Sequence, residues 1–145
     1  MSSMIQRLIG IVQVAGGFWG LFELTGRALL VREPLWLALL LLGALLFLLT
    51  LLAGVWLIAG DARGRTWSQW LQLAQAPILG TPWLSYGWHA GAVAAFGIAR
   101  HGHWSFGVRV PDIGWQLYFG AGAHWFFGIN FLALVFFLLL KLGRR

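Results

Sequence analysis

From Leu35 to Ala59 the chain runs for 25 residues without a Lys, Arg, Asp, Glu, His, Asn or Gln. As an α-helix rising ~1.5 Å per residue, this stretch would be roughly 37 Å long, enough to cross a hydrocarbon layer of about 30 Å with some tilt. Trp36 and Trp56 stand near its two ends, where indoles favour the membrane interface. A helix this uniformly apolar is otherwise found inside a large soluble core, which 145 residues do not supply. With 60% apolar and 10% charged residues, the chain also has too few polar groups to coat a water-soluble domain. The expectation is a small integral membrane protein, with residues 1–145 forming one membrane domain.

The net charge of +6 comes from Lys and Arg scattered singly or in pairs at the edges of apolar segments. That is the distribution of interfacial anchors and topology signals, so the expected partner is the lipid bilayer and not nucleic acid. Cysteine is absent, which excludes a disulfide framework and a thiolate site. The first apolar run lacks a small-residue cleavage motif and leads directly into the second, which argues against a cleaved signal peptide.

Residues 8–31 read as a first transmembrane helix and 35–59 as the second. The Arg32-Glu33-Pro34 link between them is so short that they must form an antiparallel hairpin. Glu23 and Arg27, spaced i,i+4 with the acid first, are expected to pair and so lower the cost of placing both near the boundary. Gly16 and Gly20 form a GxxxG that would admit another helix closely. After the polar turn at 60–65, Thr66 can cap a short helix over 66–76. Trp67, Trp70, Leu71 and Ala74 share one face of it and Ser68, Gln69, Gln72 and Gln75 another, the pattern of an interfacial amphipathic helix.

The stretch 84–124 alternates. Large residues fall at Leu84, Tyr86, Trp88, Phe96 and Ile98, then at Trp104, Phe106, Val108 and Val110, then at Trp115, Leu117 and Phe119; small or polar residues lie between them. A period of two predicts strands, and Pro111-Asp112 reads as a turn, giving a three-stranded, Gly- and aromatic-rich amphipathic β-meander. Gly87 and Gly91 mark a small face suited to close packing. The rival is helical, because Gly87, Gly91, Ala95 and Ala99 also form a small-xxx-small ridge. Residues 125–141 read as a C-terminal transmembrane helix. The fold class expected is therefore membrane α+β, a helical hairpin plus a C-terminal spanning helix with the meander between them; the alternative is an all-α bundle of four transmembrane helices.

No catalytic constellation emerges. The four acids Glu23, Glu33, Asp61 and Asp112 are spread through separate segments, and no phosphate loop or nucleophile elbow is present. His89 and His124 both sit in apolar surroundings among glycines and are candidates to bind a cofactor, with haem or a lipid as the ligand. The reading that fits the poverty of ionisable groups is a non-enzymatic membrane protein: an oligomeric assembly, a pore or an accessory subunit of a larger complex. The expected location is a bacterial inner membrane, with Lys141 and Arg144-Arg145 favouring a cytoplasmic C-terminus. No cofactor is otherwise implied. Leu46→Arg, in the middle of the second span, should block stable membrane insertion, since a central Arg costs ~2.5–3.5 kcal/mol on insertion scales; the check is protein yield in the membrane fraction, and a normal yield would refute the span.

Overall fold

Pro34 opens a helix, and the short link before it folds the two longest helices of the chain against each other. The computed structural model describes residues 3–99, 103–120 and 125–143. Helices α1 (Ser3–Ala28) and α2 (Pro34–Ala59) have 26 residues each, and both are long and apolar enough to cross a membrane. They run antiparallel, with Gly10 against Gly54 and Ile58, Gly17 against Phe47 and Leu51, and Gly20 against the ring of Phe47. A methyl group at any of these three glycines would collide with its neighbour, so the small residues set how closely the helices approach.

Gly60, at φ +77°, ends α2 in the left-handed conformation that glycine adopts without strain. Helix α3 (Ala62–Ala74) follows at once because Asp61 caps it. The Asp61 carboxylate accepts the Arg63 backbone N–H at 2.9 Å and the Arg63 guanidinium at 2.8 Å. Hydrogen bonds from the guanidinium, and then from the backbone, hold this carboxyl below the usual carboxylate range. Thr66, the expected cap, thus lies inside a helix that starts a turn earlier. Gly64 does not break it, since its missing side chain is what lets α3 rest on the backbone of Trp56 and Leu57.

Helix α3 packs through a mixed face. Ser68 and Gln72 are buried while Trp67 and Trp70 are exposed, Trp70 to 64%. The Ser68 hydroxyl donates to Oε1 of Gln13 on α1 at 2.8 Å, and neither residue is accessible. Leu71, expected to share a face with the tryptophans, is buried with Ser68 and Gln72, so the inward face mixes the two sets expected from the sequence.

The sheet has four antiparallel strands, β1 (Pro77–Gly80), β2 (Leu84–Ala99), β3 (Trp104–Phe119) and β4 (Phe126–Asn130), in the order β1-β4-β2-β3. Residues 84–99 and 104–119 are therefore strand and not the helices of a four-helix bundle. They form one long hairpin of two 16-residue strands instead of a three-stranded meander. The pairs run from Leu84↔Phe119 to Gly91↔Asp112 and resume from Val93↔Arg109 to Ile98↔Trp104, so Val110 and Pro111 together face the single residue Ala92. Pro111 thus marks a β-bulge and no turn. The bulge explains the sequence pattern, because large residues sit at even positions up to Val110 and at odd positions from Ile113, a parity change that one extra residue produces.

The strand pairings close on themselves. β1 pairs with the start of β2 (Leu79↔Tyr86) and along β4 (Pro77↔Ile129 to Gly80↔Phe126), while β4 pairs with the end of β2 (Ala95↔Asn130 to Ala99↔Phe126). Between its two partners, the same edge of β2 is served by side chains: the N–H of Ala90 donates to Gln75 Oε1 at 2.9 Å and that of Ala94 to Asn130 Oδ1 at 3.1 Å. The curl brings β1 and β4 over the small face of β2, so Ser85, Gly87, Val93 and Gly97 are buried. Phe126 fills the space over Gly97 and Gly128. The large face packs on the helices, with Trp88 edge-on to Phe47 at 6.2 Å and Trp115 lying over Gly43 while its indole N–H donates to the Leu39 carbonyl at 3.0 Å.

The C-terminal segment is shorter than a span. Strand β4 occupies 126–130, and α4 (Phe131–Leu142) has 12 residues, about 18 Å. The expected helix over 125–141 is cut because Phe126–Asn130 is claimed by β1 and β2, and Asn130 then caps the helix by accepting the Ala133 N–H. Leu140 packs with Ile9 and Leu57, which gathers the C-terminal ends of α2 and α4 with the start of α1. Two glycines separate packing from helix propensity. Gly16→Ala should lower thermal stability in detergent by about 1–3 kcal/mol, as overpacked sites do, because its Cβ would strike the backbone of Ala90 and Gly91. Gly26→Ala, with nothing within 4 Å of the added methyl, should gain up to ~1 kcal/mol of helix propensity. Equal melting temperatures for the two variants would show that β2 does not lie on α1.

Candidate functional site

Strand β2 crosses α1 where both backbones are bare. Gly91, at φ +99°, lies against Val12, and Ala90 lies against Gly16. Neither contact leaves room for a Cβ, so this crossing holds the centre of the β2–β3 hairpin at the middle of α1.

The crossing and the bulge together assemble a charged group. Asp112 is the partner of Gly91, and the bulge beside it brings Arg109 and Asp112 to the same side of β3 although they are three residues apart. His89, one alternation away on β2, lies over Gly114, where a Cβ would strike the imidazole. Its Nε2 stands 3.0 Å from Asp112 Oδ2, and Arg109 Nε stands 3.6 Å from the same oxygen. The side chains of His89 and Asp112 are 18% and 16% exposed, whereas Arg109 reaches into the open at 73%. The second imidazole nitrogen, Nδ1, is buried with no hydrogen-bond partner among the described residues.

Beside this group a cleft of about 440 Å³ runs along α1. Ile11, Val12, Ala15 and Trp19 form its apolar wall, with Glu23 on α1 and Asp112 on β3 also lining it. Glu23 forms the expected ion pair with Arg27, one turn further along α1. The cleft is thus apolar over most of its length and carries two carboxylates, each joined to an arginine.

A second feature is the outer edge of β3. No described strand pairs with it, and from Trp104 to Val110 the side chains on both faces are exposed. Trp104, Phe106, Val108 and Val110, between 57% and 70% exposed, form an apolar row, while Ser105, Gly107 and Arg109 lie opposite.

Of the residues singled out from the sequence, His89 enters the charged group, and His124 lies outside the described residues. Gly16 and Gly20 serve two different neighbours, a strand and the Phe47 ring, while a Cβ at Gly87 would meet only Ile78 at 3.9 Å. Among the described residues no three His, Cys, Asp or Glu side chains gather as a metal site. Sequence reasoning missed Asp112 and Arg109 as members of the group. The signal was present in the parity change at 110–113, which read as a bulge places both beside His89. Comparison with protein families, with curated proteins and with solved structures finds no match for this chain.

Proposed function

We propose that the chain is a small integral membrane protein whose role is assembly: α1 and α2 cross the bilayer, and the free edge of β3 joins it to a second copy of itself. Membrane insertion is supported by α3, whose tryptophans face outward while Ser68 and Gln72 pack inward beside Leu71. In water that arrangement would expose apolar surface and bury polar groups at a cost on both counts. In lipid it is the favourable one. The long apolar face of α2, with Leu35, Leu41, Leu45 and Val55 exposed, supports the same reading.

The observation that carries the assembly is the outer edge of β3, which no described strand pairs. Because β2 crosses α1 at Gly16, near the midpoint of a 26-residue helix, the sheet shares the depth of the hydrocarbon. There each unpaired backbone group costs several kcal/mol, so an open edge requires a partner strand. An antiparallel edge is self-complementary about a twofold axis, and a second β3 supplies the missing donors and acceptors while its apolar row covers Phe106 and Val108.

Orientation follows from the basic residues. The end of the helical layer where Ile9, Leu57 and Leu140 meet carries Arg7, Arg63, Arg65 and Lys141, against Arg27 and Arg32 at the other end. By the positive-inside bias we read the former as the cytoplasmic end, and we take the membrane to be a bacterial inner membrane.

The cysteine-free chain makes the test clean. Single cysteines placed from 104 to 110 should give disulfide-linked dimers in native membranes at one or two adjacent positions near the twofold axis, and nowhere else. Phe106→Lys with Val108→Lys should weaken dimerisation by about tenfold or more while leaving the protein in the membrane. A chain that migrates as a monomer and cross-links at none of these positions would remove the edge as the mating surface.

A further inference from the structure

We infer that the pocket where α1, α2 and α3 meet is a binding site for a phosphate group. Its volume of about 300 Å³ is at the lower end of small-ligand sites, and it is lined by Gln6 of α1, Leu57 and Gly60 at the end of α2, Asp61, and Arg65 and Thr66 of α3. Gly64 seats α3 on the backbone of Trp56 and Leu57, so packed helices and not a free loop hold these groups in place. The acid in the lining, Asp61, is already engaged. Its carboxylate takes the backbone N–H and the guanidinium of Arg63, which also lies over the Trp56 ring, 5.2 Å from its centre.

Arg65 is left without such a partner. It is half-buried and makes no ion pair among the described residues, and a guanidinium drawn partly out of water is stabilised by an anion beside it. The Thr66 hydroxyl and the Gln6 amide line the same pocket and add donors to the guanidinium fork. Donors arriving from two helices suit a tetrahedral phosphate, whose oxygens diverge, better than a planar carboxylate. The depth of the pocket names the expected source. At 26 residues, or about 39 Å, α2 outruns a hydrocarbon layer of about 30 Å, so Gly60 stands among lipid headgroups. The lipid source rests on the membrane reading above; the pocket itself does not.

The test titrates the purified full chain in detergent with phosphatidic acid and with diacylglycerol of identical acyl chains, which differ only in the phosphate, and counts retained lipid by native mass spectrometry. One phosphatidic acid per chain should bind about tenfold more tightly than diacylglycerol, as a charge-assisted contact warrants. Arg65→Gln should erase that difference. Lys141→Gln, an equal loss of charge at the same end of the helical layer, should change it by less than about twofold, since an exposed charge at a distance is screened. Inorganic phosphate added as a competitor distinguishes the sources: a lipid complex that persists assigns the pocket to headgroups, and one that is displaced assigns it to a soluble phosphate compound. Equal binding of the two lipids by the wild-type chain overturns the inference, whatever the variants do. An equal effect of Arg65→Gln and Lys141→Gln makes the attraction a diffuse one and also overturns it. Fractionation of the wild-type chain tests the membrane reading apart from this, because a phosphate preference in a chain found outside the membrane keeps the pocket and removes only its lipid source.

Discussion

A strand can lie across a helix at backbone contact only where side chains are missing from the crossing, and here Gly16 of α1 meets Ala90 and Gly91 of β2. Everything else in the sheet is referred to that point. Gly91 takes a positive φ beside the bulge, Trp88 reaches Phe47 on one side of the crossing, and Asp112 arrives beside α1 on the other. A larger residue at Gly16 would lift the hairpin from the helices and open the Trp88 and Trp115 contacts together, because both depend on the same seat.

Backbone satisfaction is the second organising constraint, and it accounts for amides that would otherwise look misplaced. Gln13, Gln75 and Asn130 are all but inaccessible, in a chain that is poor in polar residues. Burial of an amide is costly unless its polar atoms are engaged. Each of these spends its carbonyl oxygen on a partner, Gln13 on Ser68, Gln75 on the Ala90 N–H, Asn130 on the N–H groups of Ala94 and Ala133, while the amide nitrogen of each is buried with no partner among the described residues. Two of the three replace a missing strand along β2. The polar interior is thus a means of ending one stretch of sheet and starting another without leaving backbone donors bare.

The two long apolar helices were legible because an uninterrupted apolar run of that length folds as helix, and the period of two in 84–99 and 104–119 correctly separated strand from helix. What was not legible depended on partners far along the chain. Phe126–Asn130 reads as the start of an apolar helix until β1 and the end of β2 are present to pair with it. Pro111-Asp112 carries turn chemistry, and only the switch of large residues from even to odd positions betrays the bulge. The inward face of α3 was not legible, since it takes Leu71 from one expected set and Ser68 and Gln72 from the other. The charged group at His89 shared the fate of the bulge, since Asp112 and Arg109 come together only through it.

The two side chains that stand in for a strand along β2 differ in when they become available. Gln75 precedes Ala90 by 15 residues, so the acceptor leaves the ribosome before the donor it serves. Asn130 follows Ala94 by 36 residues. At roughly 5–20 residues per second the Ala94 N–H waits about 2–7 s for its partner. During that interval the first half of β2 is already dressed and the second half is a bare edge. Synthesis rate thereby becomes part of how this sheet closes, and a pause between the two strands would lengthen the exposure of its far half alone.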